Sequence, residues 1–589
     1  MPSSKKVVSK KKTKSKTKSK TISKSRKKSI KKSTKKSSNK SKSSSKSKLK
    51  NKLNFTHKEM VAIQKARETF FSQQYQKKIS GELIKDLYQQ YPINMIFNKL
   101  FTYKEGIKYH LVSYPIEIQK NKSDNLYIKG PHQYHQLLNK VSLGKPYHYH
   151  ILDRQQGLNH LSVQLFSKLT TESKGLPEEI KKVTEGFARG VSQYVNRVFN
   201  LPVDVSNAFM KLWEIYHKVP QLVPNKEKVN VFHLAEAPGQ WINCTKHFIK
   251  VRRHKVRDHN WLANSLNHKH PKNIKKFGKG GIFGDAYGFI KKYPEKWLYG
   301  ADNTGDITNP KNVKWFREEI KSILNKSSKK SSKKSSKKSS RKSSKKSSKK
   351  SSKKSSRKSS RKSSRKSSKN LNKKGGKHHQ HHSENDKIDL VTGDAGMAGE
   401  GVSLLDLQKI ELGQMLMVAA TCGKGGNCVI KHFLPFISEA PKSEHASGFF
   451  TSFMYCYYLM FQDVILIKPK TSSPNSSEFY CVGLGFLGCS NELLEKMLKV
   501  QKDFKVNNTL FTQKEIPESF TSQLFSFVTD LMRLNTSQKE LQNILLLCKN
   551  PDNKELQEKT KCLTYLNPKF LATHQSKRYR QWIRENRFQ

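Results

Sequence analysis

The chain has 589 residues, with 115 Lys or Arg against 45 Asp or Glu, a formal net charge of +70 and only 34% hydrophobic residues. That length accommodates two or three domains, while so polar a composition excludes both an evenly spread core and a membrane-embedded bundle. Residues 1–50 and 326–369 each hold 22 Lys or Arg and no acid, and what remains is still basic enough to imply a polyanionic partner.

Residues 1–53 are Lys, Ser and Thr with almost nothing to bury, so they cannot offset the entropy of ordering and read as a disordered basic tail. No apolar core follows the basic start, and no uncharged run approaches the roughly 20 residues that span a bilayer, so no secretion signal or membrane span is expected. Residues 54–200 read as a globular N-terminal accessory region. Asp204-Val205-Ser206 opens a predicted helix in which Ala208, Leu212 and Ile215 follow helical spacing, with Lys211 at the edge of the stripe. Val229–Leu234 reads as a buried strand that runs into Ala235-Glu236-Ala237-Pro238-Gly239.

Four further strands are predicted at Asp389–Thr392, Asn427–Phe433, Val464–Lys468 and Phe479–Phe486, with a helix from Leu404 to Ala420. Strands separated by helical patterns indicate an α/β sheet covered on both faces, here over residues 201–490. Residues 326–383 interrupt it. Their Ser-Ser-Lys-Lys repeat has no apolar face and reads as a disordered surface insertion, where length costs little. The patch His378-His379-Gln380-His381-His382 inside it reads as a flexible tract in preference to a metal site.

The eight cysteines, Cys244, Cys422, Cys428, Cys456, Cys481, Cys489, Cys548 and Cys562, form no CxxC pair or regular spacing. This argues against a zinc module and a disulfide framework, and for free thiols in a reducing, intracellular compartment. Residues 491–589 read as a helical basic region. Its terminal stretch, Lys577-Arg578-Tyr579-Arg580-Gln581-Trp582-Ile583-Arg584, suits phosphate contact and base stacking, or equally a basic helix packed on the core.

Three segments carry candidate chemistry. In an open α/β sheet ligands bind beyond the carboxyl ends of the strands, so Glu236, Ala237, Pro238, Gly239 and Trp241 are candidates for a nucleotide-like cofactor; a plain structural turn is the alternative. Asp306 could accept an adenine amino group with Ile307 packing on the ring, or could close an Asx-turn. Lys431 interrupts an apolar strand, where an ammonium is costly unless paired or deprotonated, while Asp394 and Glu478 sit at strand ends. Together they suit a proton-handling cluster or simple ion pairing.

In this order and context the motifs resemble the FtsJ-like RNA ribose 2′-O-methyltransferases, and more closely the adrift-type cap methyltransferases of eukaryotes and large DNA viruses. The resemblance covers roughly residues 200–490 and rests on Ala208-Phe209-Met210-Lys211-Leu212, Glu236-Ala237-Pro238-Gly239, Trp261–Asn267, Asp302–Ile307, Gly393-Asp394-Ala395-Gly396, Val429-Ile430-Lys431, the stretch from Lys468-Pro469 to Glu478, and Ser477-Glu478-Phe479-Tyr480. It implies a Rossmann-like fold and S-adenosyl-L-methionine as cofactor. RNA is the implied partner, capped messenger RNA in particular, with no metal and no membrane. A virus of this kind would place the protein in the cytoplasm, a viral factory or the virion; otherwise the cytoplasm or nucleus is expected.

The resemblance also implies a catalytic tetrad of Lys211, Asp394, Lys431 and Glu478, with Lys431 as general base acting as a neutral amine and Asp394 also beside the cofactor. Two features depart from the family pattern: the Ser/Lys insertion, and His268-Lys269-His270 where an acid for the cofactor ribose is expected. Rival readings are methylation of ribosomal or other RNA, and a nonenzymatic RNA-binding protein that keeps a methyltransferase-like domain.

Overall fold

The computed structural model describes residues 107–111, 137–149, 169–326, 387–396, 403–434 and 447–588, with short breaks at 172, 279–281, 283, 555–556 and 559–561. The basic tail, nearly all of the Ser/Lys insertion and the His-rich patch lie outside the described residues.

Among the described residues eight strands form one sheet: β1 (Ile107–Leu111), β2 (Lys228–Leu234), β3 (Asp258–Asn264), β4 (Trp297–Leu298), β5 (Ile388–Gly393), β6 (Cys422–Phe433), β7 (Phe461–Lys468) and β8 (Glu478–Phe486). Their order is β1-β7-β8-β6-β5-β2-β3-β4. The run β4-β3-β2-β5-β6 is parallel, and β8 enters antiparallel between β6 and β7. The chain leaves β2 toward β3 on one side and is joined by β5 on the other, so the sheet reverses direction at the β2/β5 boundary. This is the topological switch point, where loops leaving neighbouring strands diverge and open a crevice.

Burial on both faces explains the near-continuous apolar runs read from the sequence. In β2, Phe232 and Leu234 enter one core, with Val313, Phe316 and Ile320 of α5 (residues 310–326), Leu412 and Met415 of α6 (Leu404–Thr421), and α7 (Ser447–Met460) and α8 (Asn491–Asp503). Val229 and Val231, one residue out of phase, enter the other. That core is built from α2 (Gly186–Val198), α3 (Asn207–Lys218), α4 (Gln240–Arg252) and α10 (Pro568–Glu585).

Residues outside the sheet domain are part of the same packing. β1 extends the sheet by pairing antiparallel with β7. Helix α1 (Glu178–Thr184) is tied to α9 (Glu518–Cys548) by Gln538, whose side-chain amide donates to the Thr184 carbonyl. Tyr579 of α10 donates to the Gly186 carbonyl. Cys548 and Cys562 form a disulfide, which corrects the expectation of free thiols throughout; the other six cysteines are free. Among the described residues no helix is long and apolar enough to cross a membrane, and no group of His, Cys, Asp and Glu is placed to hold a metal.

Candidate active site

Strand register brings three of the four charged residues together. Lys431 pairs with Tyr480 across the antiparallel β6–β8 ladder, and Phe433 pairs with Glu478, so Lys431, Glu478 and Tyr480 share one face by the two-residue period of a strand. Asp394 immediately follows Gly393, the last residue of β5, which pairs with Ile430. The fourth arrives on α3, whose N-cap Ser206 accepts from the Phe209 N–H and whose apolar side packs on this face, leaving Lys211 to reach over the strand ends.

Lys211 Nζ lies 2.7 and 3.0 Å from the two oxygens of Glu478, and Lys431 Nζ lies 3.1 Å from Asp394 Oδ1. The Tyr480 hydroxyl spans the pairs, donating toward Glu478 Oε1 at 3.2 Å and Asp394 Oδ1 at 3.4 Å. Burial alone would lower the Lys211 pKa, but the Glu478 and Asp394 carboxylates outweigh it and hold Lys211 above its ordinary value. Burial would likewise raise Glu478, yet Lys211, Lys431 and Lys468 hold it well below the carboxylate range. Tyr480 is pushed far up by burial and by the two carboxylates, so it stays a neutral donor.

The loops beyond β2, β3 and β4 lie beside this cluster across the switch point. Gly239 caps the start of α4 in the left-handed region (φ 111°), and a Cβ there would meet the Phe289 ring at 2.6 Å. Glu236 Oε1 accepts the N–H groups of Trp241 and Ile242 at 2.8 and 3.0 Å, so this carboxylate closes the first turn of α4 itself. Ala237 is almost fully buried, and Ala237–Pro238 is a cis peptide. Trp241 points into the core, where its indole N–H donates to the Ala208 carbonyl and its ring packs near Tyr480. Ile307 is also a core side chain.

Asp306 Oδ1 accepts both the N–H and the hydroxyl of Thr308, the Asx-type arrangement weighed from sequence, while Oδ2 has no hydrogen-bond partner among the described residues. Asp302 is fully engaged with Thr304, Asn309 and Asn312, and these bonds bring its pKa down to about 2 against the opposing effect of burial. Gly305 lies where a Cβ would sit 1.8 Å from the Ser265 carbonyl oxygen, so the loops after β3 and β4 touch backbone to backbone.

The model of the family described as FtsJ-like methyltransferase matches residues 205–486. Those residues belong to that family. The match begins one residue before Ser206, the N-cap of α3, and ends with β8, so it contains the whole cluster and every strand but β1. The chain is 24% identical to the uncharacterized protein L511 of Acanthamoeba polyphaga mimivirus, over 59% of this chain and 34% of that one. It is 26% identical to cap-specific mRNA (nucleoside-2′-O-)-methyltransferase 2 of Danio rerio, over 59% and 38%. Against the probable methyltransferase EP424R of African swine fever virus, strain Badajoz 1971, it is 22% identical over 70% and 83%. The chain thus spans about a third of the length of the first two relatives.

Three residues of the methyltransferase domain to which sequence reasoning gave no role support the cluster. Lys468, fully buried at the end of β7, donates to Ser472 Oγ and to the carbonyls of Ser476 and Glu478, each at 2.8 Å. Burial drives it down to about 7, with Glu478 opposing and Lys211 reinforcing. Three acceptors nevertheless match the three protons of an ammonium, and Ser472 spends its own proton on Glu478 Oε1, which favours the charged form. Gln414 of α6 accepts from the Ala395 N–H and donates to the Lys431 carbonyl, tying together the backbones behind both members of one ion pair. Glu214, fully buried one turn after Lys211, binds the N–H groups of Lys470 and Thr471, the Thr471 hydroxyl, the Trp582 indole and Lys218. The available signal was a carboxylate inside the stripe Phe209-Met210-Lys211-Leu212-Trp213-Glu214-Ile215. The terminal stretch resolves to the packed-helix reading: Tyr579 and Trp582 are buried, so neither ring is free to stack on a base.

Proposed function

We propose that this chain is an S-adenosylmethionine-dependent methyltransferase that acts on a ribose 2′-hydroxyl of RNA, near the capped 5′ end of messenger RNA. The observation that carries the reading is the union of two lysines, two carboxylates and a neutral phenol at strand ends beside the switch point of an FtsJ-like domain. FtsJ-like methyltransferases in general use S-adenosylmethionine, whose sulfonium supplies an activated methyl group. The residues present fit such a cofactor: the left-handed turn at Gly239 presents bare backbone, and Asp306 keeps one carboxylate oxygen without a partner among the described residues. Asp394 stands between that crevice and the lysines. Trp241 and Ile307 would support the site from beneath, since both side chains are buried.

Methyl transfer to a hydroxyl is an in-line displacement, so the protein must place the acceptor oxygen and take its proton. Lys431 accepts that proton as a neutral amine while the oxygen gains the methyl group, and the resulting ammonium later returns its proton to solvent. Asp394 aims Lys431, and Tyr480 fixes the separation of the two carboxylates. Lys211 remains an ammonium, held by Glu478.

The cap assignment follows the name of the Danio rerio relative, a cap-specific mRNA (nucleoside-2′-O-)-methyltransferase, and is extended to this chain as part of the proposal. The test is transfer of a tritiated methyl group to RNAs of one sequence, capped and uncapped, followed by nuclease digestion. The expected product is a nuclease-resistant 2′-O-methylated linkage next to the cap. Label on a base would overturn the reaction, and equal labelling of uncapped RNA would overturn the cap assignment.

A further inference from the structure

The outer face of the C-terminal helices is, among the described residues, a strongly basic surface that the catalytic cluster does not use. Helix α10 contains Lys569, Lys577, Arg578, Arg580 and Arg584 against one acid, Glu585. Lys569, Lys577, Arg580 and Arg584 are exposed, and spacings of eight, three and four residues put them on one helical stripe. The opposite side of the helix is buried through Leu571, Tyr579, Trp582 and Ile583.

At the start of the stripe stands an open aromatic ledge. Phe570 is 41% exposed and Leu563 48%, two of the four large hydrophobic side chains exposed among the described residues. Tyr565 meets Phe570 edge-on at 5.5 Å between centroids, and His574 lies parallel to Phe570 at 6.1 Å and 9°. At its far end α10 abuts the 469–477 loop that leads into Glu478: Trp582 donates to Glu214, which binds that loop, and Glu585 pairs with Lys470 at 3.0 Å. From Phe570 to Glu585 the helix rises about 22 Å, enough for several nucleotides.

We infer that this face is a docking track for single-stranded RNA, with bases stacking on the Phe570 ledge and phosphates following Lys577, Arg580 and Arg584 toward the catalytic cluster. The inference rests on the RNA reading above and adds to it a binding surface outside the methyltransferase domain. Exposed rings flanked by cations suit unpaired nucleotides, because every base offers a stacking face, and a chain of net charge +70 favours a polyanion over a neutral protein partner.

The experiment uses the full chain and a short, uncapped, unstructured RNA carrying a fluorophore, titrated across a salt series. Phe570→Ala should weaken binding about fivefold or more, the loss of one stacked base. Lys577→Ala, Arg580→Ala and Arg584→Ala together should flatten the slope of log affinity against log salt by about 2, from roughly 0.7 per phosphate contact on a single strand. With the unaltered chain, 4-thiouridine in the RNA should crosslink to the peptide containing Phe570, a readout that does not depend on how the variants fold. Affinity and slope unchanged in variants that melt normally, or crosslinks confined to the Ser/Lys segments, would overturn the track. Binding here needs neither cap nor cofactor, so a failed methylation assay leaves this result standing, and a failed track leaves the methylation assay standing.

Discussion

Replacing Glu214 by Ala removes a carboxylate that no solvent reaches and that receives four hydrogen bonds and the Lys218 ammonium at 2.9 Å. Breaking a buried pair in this way costs about 3–5 kcal/mol, since the abandoned donors must find water or remain unpaired. Two of those donors are the Lys470 and Thr471 N–H groups, in the loop whose Ser472 and Ser476 hold Glu478 and Lys468, so the damage should reach the cluster. Glu214→Ala should therefore lower unfolding free energy by several kcal/mol and lower kcat for methyl transfer, while Glu214→Gln, which keeps one acceptor oxygen, should cost about half as much. The pH dependence follows from the sign of the shift. Burial alone would raise this carboxyl, but Lys218 and the hydrogen bonds outweigh it and hold it below its ordinary value, so its contribution is full above about pH 4.5 and is lost as the pH falls further. Urea unfolding of the three proteins between pH 4 and 8 is the assay. A Glu214→Ala protein within about 1 kcal/mol of the parent at pH 7 would refute the idea that this carboxylate fastens the loop to α3.

Lys431→Arg should reduce methyl transfer by at least about 100-fold with cofactor affinity unchanged in calorimetric titration, because a guanidinium cannot act as a base; wild-type turnover in this variant would sink the mechanism. Asp306→Ala should weaken S-adenosylmethionine binding without altering the melting temperature, and equal affinity would remove this loop from the cofactor site. Gly239→Trp should weaken binding too and also lower the melting temperature, since the new side chain meets the Phe289 ring and φ is 111°. Glu411, raised to about 8 chiefly by burial, is protonated in the fold and ionised when unfolded between pH 4.5 and 8, so stability should fall across that window. Glu411→Gln keeps an acceptor for the Phe433 N–H and should flatten that fall; an unchanged pH profile in urea unfolding would refute the assignment.

The sheet was largely legible because both of its faces are covered. Largely apolar runs such as Val229–Leu234 have few other stable uses, and the five predicted strands differ from those observed mainly at their ends, whereas β3, polar over its first half, and the two-residue β4 were not predicted. β6 begins five residues earlier than predicted, at Cys422, because Gly423, Gly425 and Gly426 hid the pairing from a reading based on apolar runs. β1 was not legible, since an edge strand is defined by its partner β7 and by little in its own residues. The Cys548–Cys562 pair was missed for a related reason: it joins the end of α9 to a helix 14 residues on, with no spacing motif to announce it.

The site divides along the same physical line. Lys431 and Glu478 stood out because a charge inside or opening an apolar strand demands a partner. Lys211, at the edge of a helical stripe, has an ordinary solvent-facing alternative, and only the resemblance singled it out. Neither route identifies a partner, because pairing depends on which strand ends the topology brings together, here β5, β6 and β8 under α3. Trp241 shows the converse: it follows Gly239 by two residues, yet its indole donates to the Ala208 carbonyl and its ring packs in the core, which the sequence of the turn does not announce. Lys468 and Glu214 act on the cluster through backbone atoms of the 469–477 loop, and a contact to backbone leaves no trace in the identity of the residue contacted. A sequence can therefore flag such a charge, as the carboxylate inside the Phe209–Ile215 stripe does for Glu214, whereas the loop it holds by peptide groups emerges only from coordinates.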